Sequence, residues 1–290
     1  MWTYKNGNVE VTIHDDGTKE RKWEGEMQVD FPESIDVKIT DYCQMGCPMC
    51  HESSTANGQH GDLDKLIEVL DQLPKVGIEL AIGGGNPLDH PDLMNFLWTL
   101  KNRGFIPNLT INQGHLKKHL DQIKTIIDEK LAYGIGISII HDDFKYVNEI
   151  ADYTDNFVAH LILGVHKPEI LDKLNNRKVL LLGYKDFGFG VEHHKRHPEI
   201  DEIIMDWYRH IHKYLGKRHL SFDNLAIDQL NLKRCFTESG WNKFYQGDDF
   251  TISMYIDAVK QEYAPTSRSN NRVSINDSSL INFFKQHGKV

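Results

Sequence analysis

Asp41-Tyr42-Cys43-Gln44-Met45-Gly46-Cys47-Pro48-Met49-Cys50-His51 sets three thiols in a Cys-x3-Cys-x2-Cys pattern. Just before it, Ile35, Val37 and Ile39 alternate with Asp36, Lys38 and Thr40, the period of a strand. The thiols therefore sit on a loop that leaves a strand. Cysteine thiolate is the usual ligand of iron–sulfur clusters, so three on one tight loop can hold three irons of a four-iron cluster. The fourth iron then lacks a protein ligand and stays open to a small molecule. Two other readings use the same residues. With His51 the thiols make a Cys3His set, a common tetrahedral zinc site, although zinc ligands usually come as two couples separated by a longer insert. Buried or redox-active thiols are the third reading.

Outward from this stretch, short β-branched runs alternate with amphipathic segments, the signal for βα units and a parallel sheet. Strands are predicted at Ile35–Thr40, Ile78–Ile82, Ile106–Asn112, Tyr133–Ile140, Val158–Leu163 and Lys178–Tyr184. Helices are predicted at Asp62–Leu73, Pro91–Arg103, Leu116–Lys130, Asp143–Asp152, Pro168–Asn175 and Pro198–Leu215. Pro91, after Asp89 and His90, fits proline at a first helical position. Upstream, Val9–Ile13 and Thr18–Trp23 flank Asp16-Gly17, the pattern of a hairpin that covers one end of the main domain. Downstream of Leu215 the rhythm breaks. His219–Asp223 and Phe250–Ile256 read as strands, Leu225–Lys233 and Leu280–His287 as short helices, and Ser267 to Arg272 as a polar flexible stretch. The expected division is a hairpin over 1–34, a barrel-like unit over 35–215, and an α+β extension over 216–290 that closes the barrel and shapes a pocket.

Buried parallel strands normally read as continuous apolar runs. Here most strands are apolar on one face only: Asn108 and Thr110 oppose Leu109 and Ile111, Ser138 opposes Ile137, and His160 opposes Leu161. The apolar face should meet the helices, which leaves a polar lumen suited to water or a polar substrate.

Composition narrows the function. At 290 residues with a net charge of −9, the chain has no global basic footprint, which disfavours a nucleic-acid partner. The sole local candidate, His193-His194-Lys195-Arg196-His197, reads as a solvated loop. Only four cysteines occur and three are in the motif, which favours a reducing cytoplasm over a secreted disulfide framework. Cys235 stands alone and reads as a small buried hydrophobe. No apolar run approaches the length of a membrane span.

A second motif, Gly83-Gly84-Gly85-Asn86-Pro87, ends the second predicted strand. Consecutive glycines permit backbone geometries and close approaches that a side chain would block. In αβ barrels the C-terminal strand ends carry the active site, so both loops face the same space. Together, the cysteine spacing and Gly84 to Pro87 resemble the radical S-adenosylmethionine (radical SAM) family, over about Ile35 to Lys185. The resemblance implies a partial (βα)6 TIM-like barrel and one [4Fe-4S] cluster on Cys43, Cys47 and Cys50. It also implies S-adenosylmethionine chelated to the open iron and held by Gly84, Gly85, Asn86 and Pro87. Asn86 stands where the family has Glu, and Met49 where it often has an aromatic residue. Asn112, Ser138 and Leu182 match strand-end positions that contact the cofactor in the family. The implied chemistry is reductive cleavage of S-adenosylmethionine to a 5′-deoxyadenosyl radical, fed by an electron donor such as flavodoxin or ferredoxin, and hydrogen abstraction from a peptide side chain, nucleotide derivative or small metabolite. Asp36, Lys38, Asn108, Thr110, His160 and Lys185 are candidate substrate residues, with Asp257 a further one. The competing class is a non-enzymatic module in which zinc or a cluster serves structure or electron transfer.

Overall fold

From Ser34 onward the alternation of strand and helix periods becomes layers in the structure, a computed structural model that describes residues 1–245 and 247–287. Before it, β1 (Trp2–Asn6), β2 (Val9–Ile13) and β3 (Lys19–Lys22) form a small antiparallel sheet. The main sheet contains β4 (Ser34–Thr40), β5 (Glu79–Gly84), β6 (Ile106–Asn112), β7 (Gly134–Ser138), β8 (Phe157–Ile162), β9 (Lys178–Leu182), β10 (Leu220–Phe222), β11 (Ser253–Asp257), β12 (Glu262–Ala264) and β13 (Val273–Ser274). Strands β4 to β10 lie side by side in chain order and pair in parallel. β11 joins parallel to β4 on its free side, and β12 and β13 follow antiparallel.

Helices α1 (Leu63–Leu70), α2 (Leu93–Asn102), α3 (Leu116–Asp128), α4 (Lys145–Ala151) and α5 (Ile170–Lys173) separate successive parallel strands. α6 (Phe189–Arg196) and α7 (Glu199–His210) link β9 to β10; α8 (Asn224–Gln229), α9 (Glu238–Phe244) and α10 (Leu280–His287) belong to the tail. α1 begins where Asp62 accepts the Lys65 N–H, and its Leu63, Leu66, Val69 and Leu70 fall on one buried stripe. That stripe packs into a core that also holds Ile35, Val37, Ile39, Leu80, Ile82 and Phe96. Each such aliphatic side chain contributes about 1.5–3 kcal/mol by burial, and Ile82→Ala would cost about 2–5 kcal/mol. Strand alternation thus does what the sequence predicts: the apolar face meets the helices, and Asp36, Asn108, Thr110 and His160 point the other way.

Several expectations need correction. The N-terminal segment is three-stranded, because Trp2–Asn6 pairs with Val9–Ile13. Its His14–Asp16 turn lies by the starts of β7 and β9, where the Tyr133 hydroxyl donates to His14 O at 2.7 Å and Lys178 Nζ donates to Asp16 O. The tail does not close the sheet. Among the described residues the sheet is open, with β10 and β13 at its edges. Helix α2 starts at Leu93, two residues after Pro91, and the His90 ring accepts the Asp92 N–H at 3.2 Å. His193 to Arg196 lie on α6, not in a loop. Ser267 to Arg272 is cross-linked, with the Arg272 guanidinium donating to Ser267 O at 2.9 Å and Ser269 O at 3.2 Å. Cys235 is half-buried against the main core.

Candidate active site

The cysteine loop is fastened to the glycine motif through main-chain groups. Gly85 N–H donates to Thr40 O and Asn86 N–H to Tyr42 O, both at 2.7 Å. Cys43 N–H donates to Thr55 O at 2.9 Å, and the Phe189 N–H at the start of α6 to Cys50 O at 3.0 Å. The glycines serve this closeness. A Cβ on Gly85 would lie 2.3 Å from Tyr42 O, and one on Gly84, at φ +111, would lie 2.4 Å from Thr40 O. Both glycines are therefore needed for contact between β5 and the exit of β4, before any ligand is considered.

The three thiols are free and half-buried. Burial, and then the neighbouring thiols, push the pKa of Cys47 up; burial does the same for Cys43. Metal loading would have to displace those protons. His115 Nε2 lies 3.4 Å from Cys43 Sγ, and Asn112 Nδ2 lies 3.4 Å from Cys47 Sγ. A single zinc with Zn–S near 2.3 Å would need all its ligands packed closely. Among the described residues, the set of three His, Cys, Asp or Glu ligand atoms within 4.8 Å of one another is Asp89, His115 and His119, not the three thiols. His51 is also turned elsewhere, with Nε2 at 3.2 Å from Glu52 Oε1 and 3.4 Å from Lys185 Nζ. Three half-buried thiols on one loop are a donor set that a four-iron cluster takes.

Asp89, His115 and His119 are themselves committed. Asp89 Oδ1 has Lys118 Nζ at 2.8 Å and His119 Nε2 at 3.2 Å, and Oδ2 accepts from Asn86 Nδ2 at 2.7 Å. Burial opposes the Asp89 charge, but bonds from Lys118 and Asn86 hold its pKa below the usual carboxylate range. An ammonium and an amide occupy the lone pairs a metal would use, so this is a hydrogen-bond network. It also orients Asn86. An ionised carboxylate only accepts, so it takes the NH2 end of the amide. Asn86 Oδ1 is left buried without a hydrogen-bond partner, a cost of about 1–3 kcal/mol that a bound ammonium would relieve.

Lys38 points into the same region but is not available to a ligand. It is 4% exposed, and its Nζ lies 2.6 Å from Asp257 Oδ2, 3.0 Å from Asp41 Oδ1 and 3.4 Å from Glu52 Oε2. Asp257, 1% exposed, also accepts the Val259 and Lys260 N–H groups. Burial would raise the Glu52 pKa. The His51 hydrogen bond and the nearby positive charges overcome it and take the value from 4.5 to about 2. Since burial also lowers the His51 pKa, Lys38 and Lys185 supply the lasting positive charge. Tyr255, its hydroxyl 3.5 Å from Glu52, and the Arg272 guanidinium over the Tyr255 ring complete this knot.

Asp36, two residues before Lys38 on the same face, is open to solvent. The protein around the lumen still pushes its pKa up, against Lys185. Lys185 donates to Ser267 Oγ at 3.1 Å. Asn108, Thr110 and His160 line a cavity of about 930 Å³ that opens at the N-terminal strand ends beside Gly17 and Tyr133. Burial takes the His160 pKa down to about 4, so the ring is neutral at pH 7. Ser138 and Leu182 end β7 and β9, half-buried, and Met49 is half-buried near Gly190. Pro87 opens a short 3-10 turn. Asn112 uses its carbonyl to hold the Gly114 N–H at 2.9 Å, which leaves its amide nitrogen for Cys47. Glu52, Asp89, His115 and His119 escaped the sequence reading. Glu52, next to His51, and Asp89, three residues after Asn86, lay beside the motifs; His115 and His119 did not.

The model of the Radical SAM superfamily matches residues 37–179. A tungsten-containing aldehyde ferredoxin oxidoreductase cofactor-modifying protein from Pyrococcus furiosus is 21% identical over 181 residues, 59% of this chain and 47% of that protein. Streptococcus suis SuiB bound to S-adenosylmethionine superposes with a TM-score of 0.59 at 14% identity, covering 88% of this chain and 66% of SuiB. SuiB bound to its precursor peptide SuiA also gives 0.59, at 13% identity, covering 88% and 65%. The chain thus spans about half the length of the curated relative it matches. The likeness to SuiB establishes the fold, an α/β architecture with a large, mostly parallel sheet. No helix among the described residues is long and apolar enough to cross a membrane.

Proposed function

Because the chain belongs to the radical SAM superfamily, matched over residues 37–179, we propose that it is an enzyme holding one site-differentiated [4Fe-4S] cluster on Cys43, Cys47 and Cys50. The observation that carries this reading is the pair of fastened loops: three half-buried thiols on one, and on the other a buried Asn86 Oδ1 that lacks a partner. When bound, the cluster and S-adenosylmethionine supply reductive carbon–sulfur cleavage and a 5′-deoxyadenosyl radical that takes hydrogen from a substrate.

The chain's own residues then divide the work. Asn86 Oδ1 accepts from the amino group of S-adenosylmethionine, with Asp89 holding the amide in place. Gly84, Gly85 and Pro87 shape that loop, and Ser138, Leu182 and Met49 border the rest of the cofactor. Asn108, Thr110 and His160 face the substrate from the lumen. Residues 1–34 cover the lower end, 35–215 carry the chemistry and 216–290 supply β11 and the Asp257 anchor. We read β4 to β9 as the six strands of a partial (βα)6 unit, with β10 a seventh strand beside it. A small reductant of the flavodoxin or ferredoxin type delivers the electron in a reducing cytoplasm. Peptides are the first substrate class to try, given that SuiB was solved with a precursor peptide.

Anaerobically purified protein, reduced with dithionite in the presence of S-adenosylmethionine, should be brown and form 5′-deoxyadenosine. A colourless protein that binds zinc stoichiometrically and forms none would overturn the reading.

A further inference from the structure

We propose that His115 sets the electron affinity of the cluster by donating its Nε2–H to the sulfur of Cys43. The inference rests on the cluster reading above and concerns a residue outside the cysteine and glycine motifs.

The geometry is specific. His115 ends the 3-10 turn that leaves β6, is 5% exposed, and places Nε2 3.4 Å from Cys43 Sγ. Two anchors fix that turn. Asn112 accepts the Gly114 N–H, and Gln113 Oε1 accepts the Ile140 N–H, both at 2.9 Å. The His115 ring also stands edge-on to His119, with centroids 6.3 Å apart at 73°. The ring is therefore held against the sulfur. A sulfur bound to iron carries no proton, so the contact persists only with Nε2 as the donor. Hydrogen bonds to cluster sulfurs are one of the protein's levers on reduction potential. A donor favours the more negative, reduced cluster and raises the potential, the more so in a site where little water competes. Asn112 offers a comparable donor to Cys47, so β6 and its exit supply donors to two of the three sulfurs. His115 acts through Cys43 and is a positioning residue.

The test is an EPR-monitored redox titration of reconstituted holoprotein without S-adenosylmethionine. His115→Phe should make reduction about tenfold less favourable, a midpoint lower by about 59 mV for a one-electron couple. His115→Gln, whose amide nitrogen can take the place of Nε2, should restore most of that difference. If His115→Phe fails to retain iron, His115→Asn is titrated instead, since its shorter amide cannot reach the sulfur; the same fall is expected. An unchanged midpoint in a fully loaded Phe or Asn variant overturns the inference and leaves the cluster reading intact. Wild-type protein that takes up no four-iron cluster overturns both.

Discussion

The upper ends of the strands and the lumen beneath them are both polar, but they treat their polar groups differently. Above, nearly every charge has been answered. Lys38 meets three carboxylates, Asp89 meets a lysine, a histidine and an amide, and Asn112 uses both ends of its side chain. Below, Asn108, Thr110 and His160 face a cavity of about 930 Å³, and Asp36 stays open to solvent. Saturated groups fix geometry and are costly to disturb. Uncommitted groups contribute little to the fold and remain free to recognise something that enters.

The sharpest way to break this contrast is at Lys38. Lys38→Met leaves the buried Asp257 without its closest cation and exposes Asp41 and Glu52 to one another's charge. The expected loss is about 3–5 kcal/mol, read by chemical denaturation. A loss below about 1 kcal/mol would place Lys38 among the uncommitted groups after all. Gly85→Val comes next. Its side chain meets the Tyr42 carbonyl, and overpacking of this kind costs about 1–3 kcal/mol. The cysteine loop should shift, so iron retention should fall with stability. Full iron and an unchanged melting temperature would show that the two loops are not mechanically coupled.

Acid sharpens the same contrast. His115 and His160 have folded pKa values of about 4 against 6.5 unfolded, both from burial. The unfolded chain then binds more protons between these values, so stability is full above pH 6.5 and falls as pH drops towards 4. Glu52, lowered from 4.5 to about 2, adds a further loss below pH 4.5. Denaturation at stepped pH should show His160→Phe flattening the first decline, and a slope equal to wild type would contradict the His160 assignment. The smallest effect belongs to Thr110→Val, which should move stability by no more than about 0.5 kcal/mol while weakening substrate-coupled turnover. A larger stability loss would make Thr110 structural.

Much of this could be read in the chain because it is local. Ile35, Val37 and Ile39 against Asp36 and Lys38 declare which face meets the helices, and that face is the buried one. The cysteine spacing and Gly84 to Pro87 announce two loops at one end of the sheet. What could not be read depends on distant pairing. Asp257 reaches Lys38 only because β11 adds to the free side of β4. His115 reaches Cys43 across 72 positions of sequence. Trp2–Asn6 hid as a strand because its partner follows at once through Gly7, which has φ +62. The glycines of the second motif were visible, but their first task, clearance for Thr40 and Tyr42, required the neighbouring backbone.

On the proposed reading, Cys43, Cys47 and Cys50 together hold a four-iron cluster. Iron and acid-labile sulfide per chain, measured on anaerobically reconstituted Cys43→Ala, Cys47→Ala, Cys50→Ala and Cys235→Ala proteins, test it directly. About four of each are expected in wild type and Cys235→Ala, with severe loss in the other three. Full content in Cys47→Ala, or loss confined to Cys235→Ala, would contradict it.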